Sequence, residues 1–536
     1  MKLNFKHIIP GAALLLTMGL NSCMGDLDVT PIDPSKDMAV SAPGLFNKCY
    51  AGLVMEGNDG DADFTIDDAG KSCFVRQLSN LNDCSTDVAI CWWTDGGFSD
   101  VCTNTWNSGN ETVKFMYYRL MSNITFCNHY LDVCSGYDAR MTAEVRFLRA
   151  LYYYYLQDFF GNVPFLETIS SEAAPQKDRK FMFTWLEKEF KEAAEGMAEP
   201  KAKSSADKGY GRADKAAAWL MLSRLYLNAE VYTGTPRWAD ASKYAKMVLD
   251  SDYELHTTGL NGYTAYETLF MGDNGENGAS EEAILPLLQD GVLTRGYGGS
   301  RFFIASTWEN GMLNRRGEDA ACADANWRGT RVRPEFLQKF FPAGHTITTS
   351  DAATLYAEAD AAGMHDDRCL FWGAGCTLDL GDNTDFKQGF ATVKWQNRYA
   401  TGGTPHDPND CDGDVFLLRK AEAYLNYAEA VMREKGGCPA EAKNAIDAIR
   451  LRSNKAVQST YSLDDLLDER AREFYIEGYR RPDLIRFGYY GGDNNYLWSF
   501  KGGVKEGARF EVKYNLFAIP ETEINSNRNL HQNTGF

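Results

Sequence analysis

Two clusters of side chains in this sequence could do chemistry. In LDDLLDERAREFYIEGYRRPDLIRFG, which runs from Leu463 to Gly488, Glu469, Glu473 and Glu477 recur at helical spacing among Arg470, Arg472, Arg480, Arg481 and Arg486. Two of these glutamates would suit glycoside hydrolysis if a cleft held one as acid and one as base at a defined separation. No local motif selects two. Interleaved charges of both signs read more simply as an ion-pair network fixing helix ends. The second cluster is NDCSTDVAICWWTDGGFSDVCTNTW, Asn82 to Trp106, where Trp92 and Trp93 stand beside the turn signal Thr94-Asp95-Gly96-Gly97. Tryptophan on a polar loop either packs down onto the body or meets a ligand. A sugar fits such a loop, because its C–H faces stack on aromatic rings and its hydroxyls need fixed donors and acceptors.

Other chemistries lack their residues. The chain holds no Gly-x-Ser-x-Gly elbow, His-Glu-x-x-His zinc pair or phosphate loop, and nothing in it calls for a cofactor. Asp59, Asp61 and Asp63 alternate as in a calcium loop, but Phe64 stands where glycine is needed and Gly70 where the closing glutamate belongs. A solvated acidic loop is the better reading, and no metal is expected. The formal net charge of −19 argues against nucleic acid and against electrostatic attraction to anionic lipid, and neutral ligands fit better. An aromatic content of 13% is enough for a ligand surface as well as a core.

The elements that must position these residues are mostly helices. In TAEVRFLRALYYYYLQDFFGNVPF, Thr142 to Phe165, the apolar residues Val145, Leu148, Tyr152, Tyr155, Leu156 and Phe159 follow helical spacing. Thr142 can cap this helix, and Gly161 and Pro164 end it. Its four consecutive tyrosines point in different directions, which suits a central packing element better than a flat sugar platform. Further helices are expected at Leu45 to Val54, Glu111 to Val133, Phe183 to Met197, Ala213 to Tyr232, Trp238 to Asp250, Leu417 to Glu434 and Ala440 to Arg452. Trp219, Leu222, Ser223 and Tyr226 fit the first helix of a tetratricopeptide repeat, and Ala241 and Tyr244 sit in its second. The same helix-pair grammar returns beyond residue 414.

Between the repeats, residues 253–413 are rich in glycine, asparagine, aspartate and isolated aromatics, with short strands expected at Ala283 to Leu288 and Ala391 to Gln396. Long loops on a rigid scaffold are where binding residues tend to sit. The candidate ligand contacts are therefore Trp92 and Trp93, then Trp308, Trp327, Tyr297 and Arg301 from this insertion. The closing stretch LFAIPETEINSNRNLHQNTGF starts as a strand and ends as a coil anchored by Phe517, Ile519, Ile524, Leu530 and Phe536.

At the other end, Lys2 and Lys6 precede the apolar run Ile8 to Leu20, followed by Asn21, Ser22 and Cys23. This is an export signal, too short to span a membrane as a mature helix. Ser22 before Cys23 resembles a bacterial lipoprotein cleavage box, with Cys23 the lipidated residue and the mature protein anchored rather than spanning. Residues 1–22 are thus the signal peptide, 23–44 an acidic tether, 45–252 the first part of the helical scaffold, 253–413 the insertion and 414–536 the second part with its coil. Twelve cysteines remain after Cys23; in an exported chain they are either disulfides or buried thiols.

Taken in order, these segments resemble the SusD/RagB family. They are the lipobox, the Trp-Asp-Gly-Gly-like loop WTDGG, AEVRFLRALYYYYLQDFFGNVPF, KAAAWLMLSRLYLNA, LLRKAEAYLNYAEAV, LDERAREFYIEGYRRPDLIRFG and LFAIPETEINSNRNLHQNTGF. The resemblance spans the chain. It implies a mostly α fold, a tetratricopeptide-like superhelix of helix pairs carrying a loop-rich insertion. It further implies an outer-membrane lipoprotein facing the cell surface, lying as a lid over a SusC-like TonB-dependent transporter, and a non-catalytic role in oligosaccharide capture. The family has no shared sugar-binding motif, so the candidate contacts rest on their own chemistry, and Trp327 lies in a run into Pro334 that resembles a family packing segment. A peptide-binding lid or protein–protein adaptor on the same scaffold is the alternative, and a surface glycoside hydrolase comes third.

Overall fold

The tyrosine-rich helix lies at the centre of the structure, as its composition requires. In the computed structural model, which describes residues 40–57, 61–64, 66 and 68–536, it spans Ala139–Phe160. Its cap is Asp138 rather than Thr142: the carboxylate accepts the Met141 amide at 2.7 Å, and Thr142 instead donates to the Ser135 carbonyl at 2.8 Å. It ends at Gly161, whose φ of 71° and close approach to Leu516 leave no room for a Cβ. Tyr152, Tyr153, Tyr154 and Tyr155 are all buried. Their hydroxyls meet four different groups, namely the Cys49 carbonyl, the Leu166 carbonyl, Tyr232 and Arg224. A sugar platform is excluded here.

Helix pairs continue from this element. Arg179–Gly196 packs against both the central helix and Lys215–Leu227, and Trp238–Leu249 packs against Lys215–Leu227 and Lys420–Lys435. The repeat signature has a physical basis in the first pair. The Ser223 hydroxyl donates to the Ala241 carbonyl at 3.1 Å, and the Tyr226 ring stacks on Tyr244 at 5.7 Å. Ala440–Arg452 then packs on Lys420–Lys435, completing the later pair. Aspartate and asparagine caps start the scaffold helices at Asn110, Asp178 and Asp214, each accepting an amide of the first turn.

The insertion is pinned to this scaffold by short antiparallel pairings. Ala283–Leu287 pairs with Val415–Arg419, so the stretch expected to open a helix at Leu417 is a strand up to Arg419. The β-rich composition of VFLLR wins there, because a partner strand is available. Within the insertion itself, Ala391–Thr392 pairs with Phe371–Trp372 and is shorter than expected. The chain from Leu516 forms no strand: its Phe517 amide bonds the Phe159 carbonyl at the end of the central helix. Residues 42–536 make one compact unit.

The charged cluster proves to be an ion-pair network. Arg368 meets Asp366 at 2.8 Å, Glu469 at 2.6 Å and Glu473 at 3.1 Å. Arg419 reaches Glu282 at 2.8 Å, Glu473 at 2.5 Å and Glu477 at 2.8 Å. Arg452 bridges Glu282 and Glu473, and Lys394 meets Glu477 at 2.6 Å. These side chains are all enclosed. The surrounding guanidiniums hold Glu469 and Glu473 far below the usual carboxylate range against the opposing cost of burial. Carboxylates so held cannot take up and release protons at neutral pH.

Candidate functional site

A short strand pairing assembles the aromatic cleft. Ala89–Ile90 pairs antiparallel with Arg331–Val332, which sets the Trp93 turn beside the Trp327 segment. Gly329 between them has a φ of 113°, and a Cβ there would lie 2.2 Å from Trp93 Nε1. Glycine is required at this close approach. The Trp93 ring meets Trp327 at 6.4 Å and 62°, and backs onto Phe302 at 6.2 Å and Phe98 at 6.4 Å. Tyr297 continues the line, 6.4 Å from Trp327 and inclined by 31°, with 46% of its surface exposed.

Charged groups hold the rings from behind and from the side. The Arg301 guanidinium lies 4.5 Å from the Tyr297 ring centre and 6.0 Å from that of Trp327. It is itself gripped by Asp324 at 2.9 Å and Asp410 at 2.8 Å. Arg76 donates to the Tyr297 carbonyl at 3.3 Å and to Asp68 at 3.2 Å, with its guanidinium over Phe302. The Glu56 carboxylate accepts the Tyr297 amide at 2.5 Å, and burial pushes its pKa up. Asp68, Ala69, Arg76, Trp93, Asp95, Tyr297 and Trp327 together line a cleft of about 580 Å³. It therefore presents apolar ring faces beside both donors and acceptors, the combination that orients a hydroxylated apolar-faced ligand. A larger cleft of about 810 Å³ near Tyr424 and Arg452 contains a single aromatic ring and lacks that combination.

Of the residues chosen from sequence, Trp93, Tyr297 and Trp327 converge on this cleft, with Arg301 supporting two of the rings. Trp92 does not join them. It is half-buried, lies outside the cleft lining and makes no ring contact with the three. Trp308 corrects the sequence reading outright: its indole is 1% exposed and its Nε1 donates to the Trp395 carbonyl at 2.8 Å, so it belongs to the core. An isolated tryptophan in a glycine-rich stretch looked loop-borne, but residues 299–307 before it form a buried helix. Asp68 and Arg76 were missed because no local pattern links them to residues more than two hundred positions away. Of the acidic loop, Asp63 is engaged by Lys48 and Arg119, and Asp59 lies outside the described residues. Cys23 also lies outside them.

A model of the SusD family matches residues 306–536. Over 574 aligned positions covering all of both chains, the sequence is 37% identical to the starch-binding protein SusD of Bacteroides thetaiotaomicron. Among solved structures, a SusD homologue from the same organism superposes with a TM-score of 0.68 at 20% identity, covering 96% of this chain and all of the other. The surface glycan-binding protein A of Bacteroides thetaiotaomicron, in complex with laminarihexaose, gives 0.64 at 20% identity over 92% and 98% of the two chains. With a helix-pair scaffold matching those structures and a relative alignable from end to end, the chain belongs to the SusD family.

Proposed function

We propose that the chain binds starch-type α-glucan oligosaccharides in the cleft of Trp93, Tyr297 and Trp327 without cleaving them. The observation that carries this reading is the gathering of three aromatic rings with Asp68, Arg76 and Asp95 in one cleft. Neighbouring rings are inclined to one another by 31° and 62° and not coplanar, which suits a chain that curls along its length better than a flat one. The starch-binding relative supports the same choice. Asp68, Arg76 and Asp95 supply hydrogen bonds to hydroxyls. Calorimetric titration with a malto-oligosaccharide, a laminari-oligosaccharide, a cello-oligosaccharide and a mixed peptide pool tests the reading. Binding is expected to be tightest for the malto-oligosaccharide, and its chromatographic profile is expected to stay unchanged after long incubation. Binding to peptides alone would return the alternative lid or adaptor reading, and new sugar products would make the protein a hydrolase.

The bound glucan passes to a SusC-like TonB-dependent outer-membrane transporter, with the protein held at the cell surface by lipid on Cys23. Among the described residues no helix is long and apolar enough to cross a membrane. Cys23→Ala is expected to stop incorporation of labelled fatty acid and to release the protein from the membrane fraction. Retention of both label and membrane attachment would rule out the anchor.

A further inference from the structure

We propose that Cys322 and Cys411 form a disulfide in the exported protein, and that it locks the two loops whose carboxylates hold Arg301 against the aromatic cleft. The export reading above supplies the oxidising setting; the pairing itself rests on geometry. The two sulfurs lie 3.6 Å apart although 89 positions separate them in sequence. Their backbones are already clamped, with the Ala323 amide donating to the Pro408 carbonyl at 2.6 Å. Both thiols also face the Asn409 carbonyl, at 3.5 Å and 3.8 Å. A bond of about 2.05 Å asks the two sulfurs to close by roughly 1.5 Å.

The consequence for the cleft follows from the neighbours. Asp324 is two residues beyond Cys322 and Asp410 immediately precedes Cys411, and both grip Arg301. Neither loop has a strand or helix to hold it. A covalent tie between them would fix the Asp324–Arg301–Asp410 bridge and, through it, the rings of Tyr297 and Trp327. Other neighbouring thiols, Cys49 beside Cys127 and Cys84 beside Cys102, are enclosed at packed helices. Cys322 is at the edge of the interior, 9% exposed, where an exchange partner can reach it.

The chemistry balances as thiol–disulfide exchange with a protein disulfide oxidant of the cell envelope. Cys411 donates its S–H toward Cys322, which lowers the pKa of the Cys322 thiol and favours it as the attacking thiolate. Cys322 Sγ attacks one sulfur of the oxidant's disulfide, and the other leaves as a thiolate. Cys411, deprotonated, then attacks Cys322 Sγ and expels the second oxidant sulfur. Two protons and two electrons leave the pair, and the oxidant ends as a dithiol.

The test is peptide mapping without reductant, after blocking free thiols with N-ethylmaleimide before lysis. Protein from the cell envelope is expected to yield one linked species joining the peptides of Cys322 and Cys411, lighter than their sum by two hydrogens. Maleimide on both cysteines would overturn the proposal. A second arm, purified reduced chain equilibrated with oxidised glutathione, decides the pairing without reference to location: the same link is expected, and two free thiols there also count against it. Amide hydrogen exchange in residues 320–325 and 405–412 reads the locking. It is expected to speed up in reduced parent and in the Cys322→Ser/Cys411→Ser double variant, with malto-oligosaccharide affinity falling severalfold. Exchange unchanged by reduction would overturn the locking. A parent that binds no glycan at all would refute the proposed ligand, while the mapping and exchange results would still stand for the disulfide.

Discussion

Trp93→Ala is expected to weaken malto-oligosaccharide binding by about 2 kcal/mol, roughly thirtyfold, whereas Trp92→Ala leaves affinity within about twofold of the parent. The two residues are adjacent in sequence, so the contrast tests geometry and not composition. Trp93 forms one end of the cleft wall, beside Trp327 and backed by the buried Phe98. Its removal takes away a stacking face and also the partner that fixes Trp327. Because the ring backs onto Phe302 as well, some loss of melting temperature will accompany the loss of binding. Tyr297→Ala separates the two effects, since that ring is 46% exposed and its removal opens little of the core. It is expected to cost about 1–2 kcal/mol of affinity with a small change in melting temperature. The checking experiment is calorimetric titration of the three variants beside thermal melts. If Trp93→Ala and Tyr297→Ala both bind as the parent does, the cleft is not the glycan site.

What could be read in the sequence follows from the range over which each signal acts. The central helix was legible because its apolar spacing, Gly161 and Pro164 are all local. Only its cap was misplaced: Asp138 and Thr142 both have capping side chains, and the choice depends on a turn geometry that composition does not carry. The Glu469–Glu473–Glu477 spacing pointed to an ion-pair network, and Arg472 of the same segment does pair with Glu469, yet the further partners Arg368, Arg419 and Arg452 come from separate segments. The cleft was half legible. Aromatic residues in polar, glycine-rich stretches named Trp93, Tyr297 and Trp327, while the same criterion also named Trp308, which the helix of residues 299–307 carries into the core. Composition alone could not gather Trp93 and Trp327, because the pairing of Ala89–Ile90 with Arg331–Val332 that brings them together acts across the chain. Trp92 and Trp93 show the same limit at a separation of one residue, where the backbone path alone decides which indole faces the cleft.

The larger effect on stability is expected at Glu473. Its carboxylate meets Arg368 at 3.1 Å and Arg419 at 2.5 Å, and also pairs with Arg452, with every one of these side chains enclosed. Glu473→Gln keeps the volume and removes the charge, leaving three buried guanidiniums short of a counter-ion. Breaking an isolated buried pair costs about 3–5 kcal/mol. Here Arg368 keeps Asp366 and Glu469, Arg419 keeps Glu282 and Glu477, and Arg452 keeps Glu282, so the expected loss is smaller, about 2–3 kcal/mol. Chemical denaturation should show the unfolding midpoint falling accordingly, with malto-oligosaccharide affinity retained in the folded fraction, since the Trp93 cleft draws on other residues. The pH dependence gives an independent reading. The neighbouring guanidiniums depress the pKa of Glu473 in the folded state, against the cost of burial. Its contribution is therefore fully present above the unfolded value of about 4.3 and is lost as pH falls from there toward the folded value. The parent should lose stability steeply below about pH 4, and Glu473→Gln should lose less over that same interval. A parent and variant with equal midpoints at neutral pH would show that the network contributes no net stability. A variant that fell as steeply in acid would assign the acid sensitivity to the other carboxylates of the network.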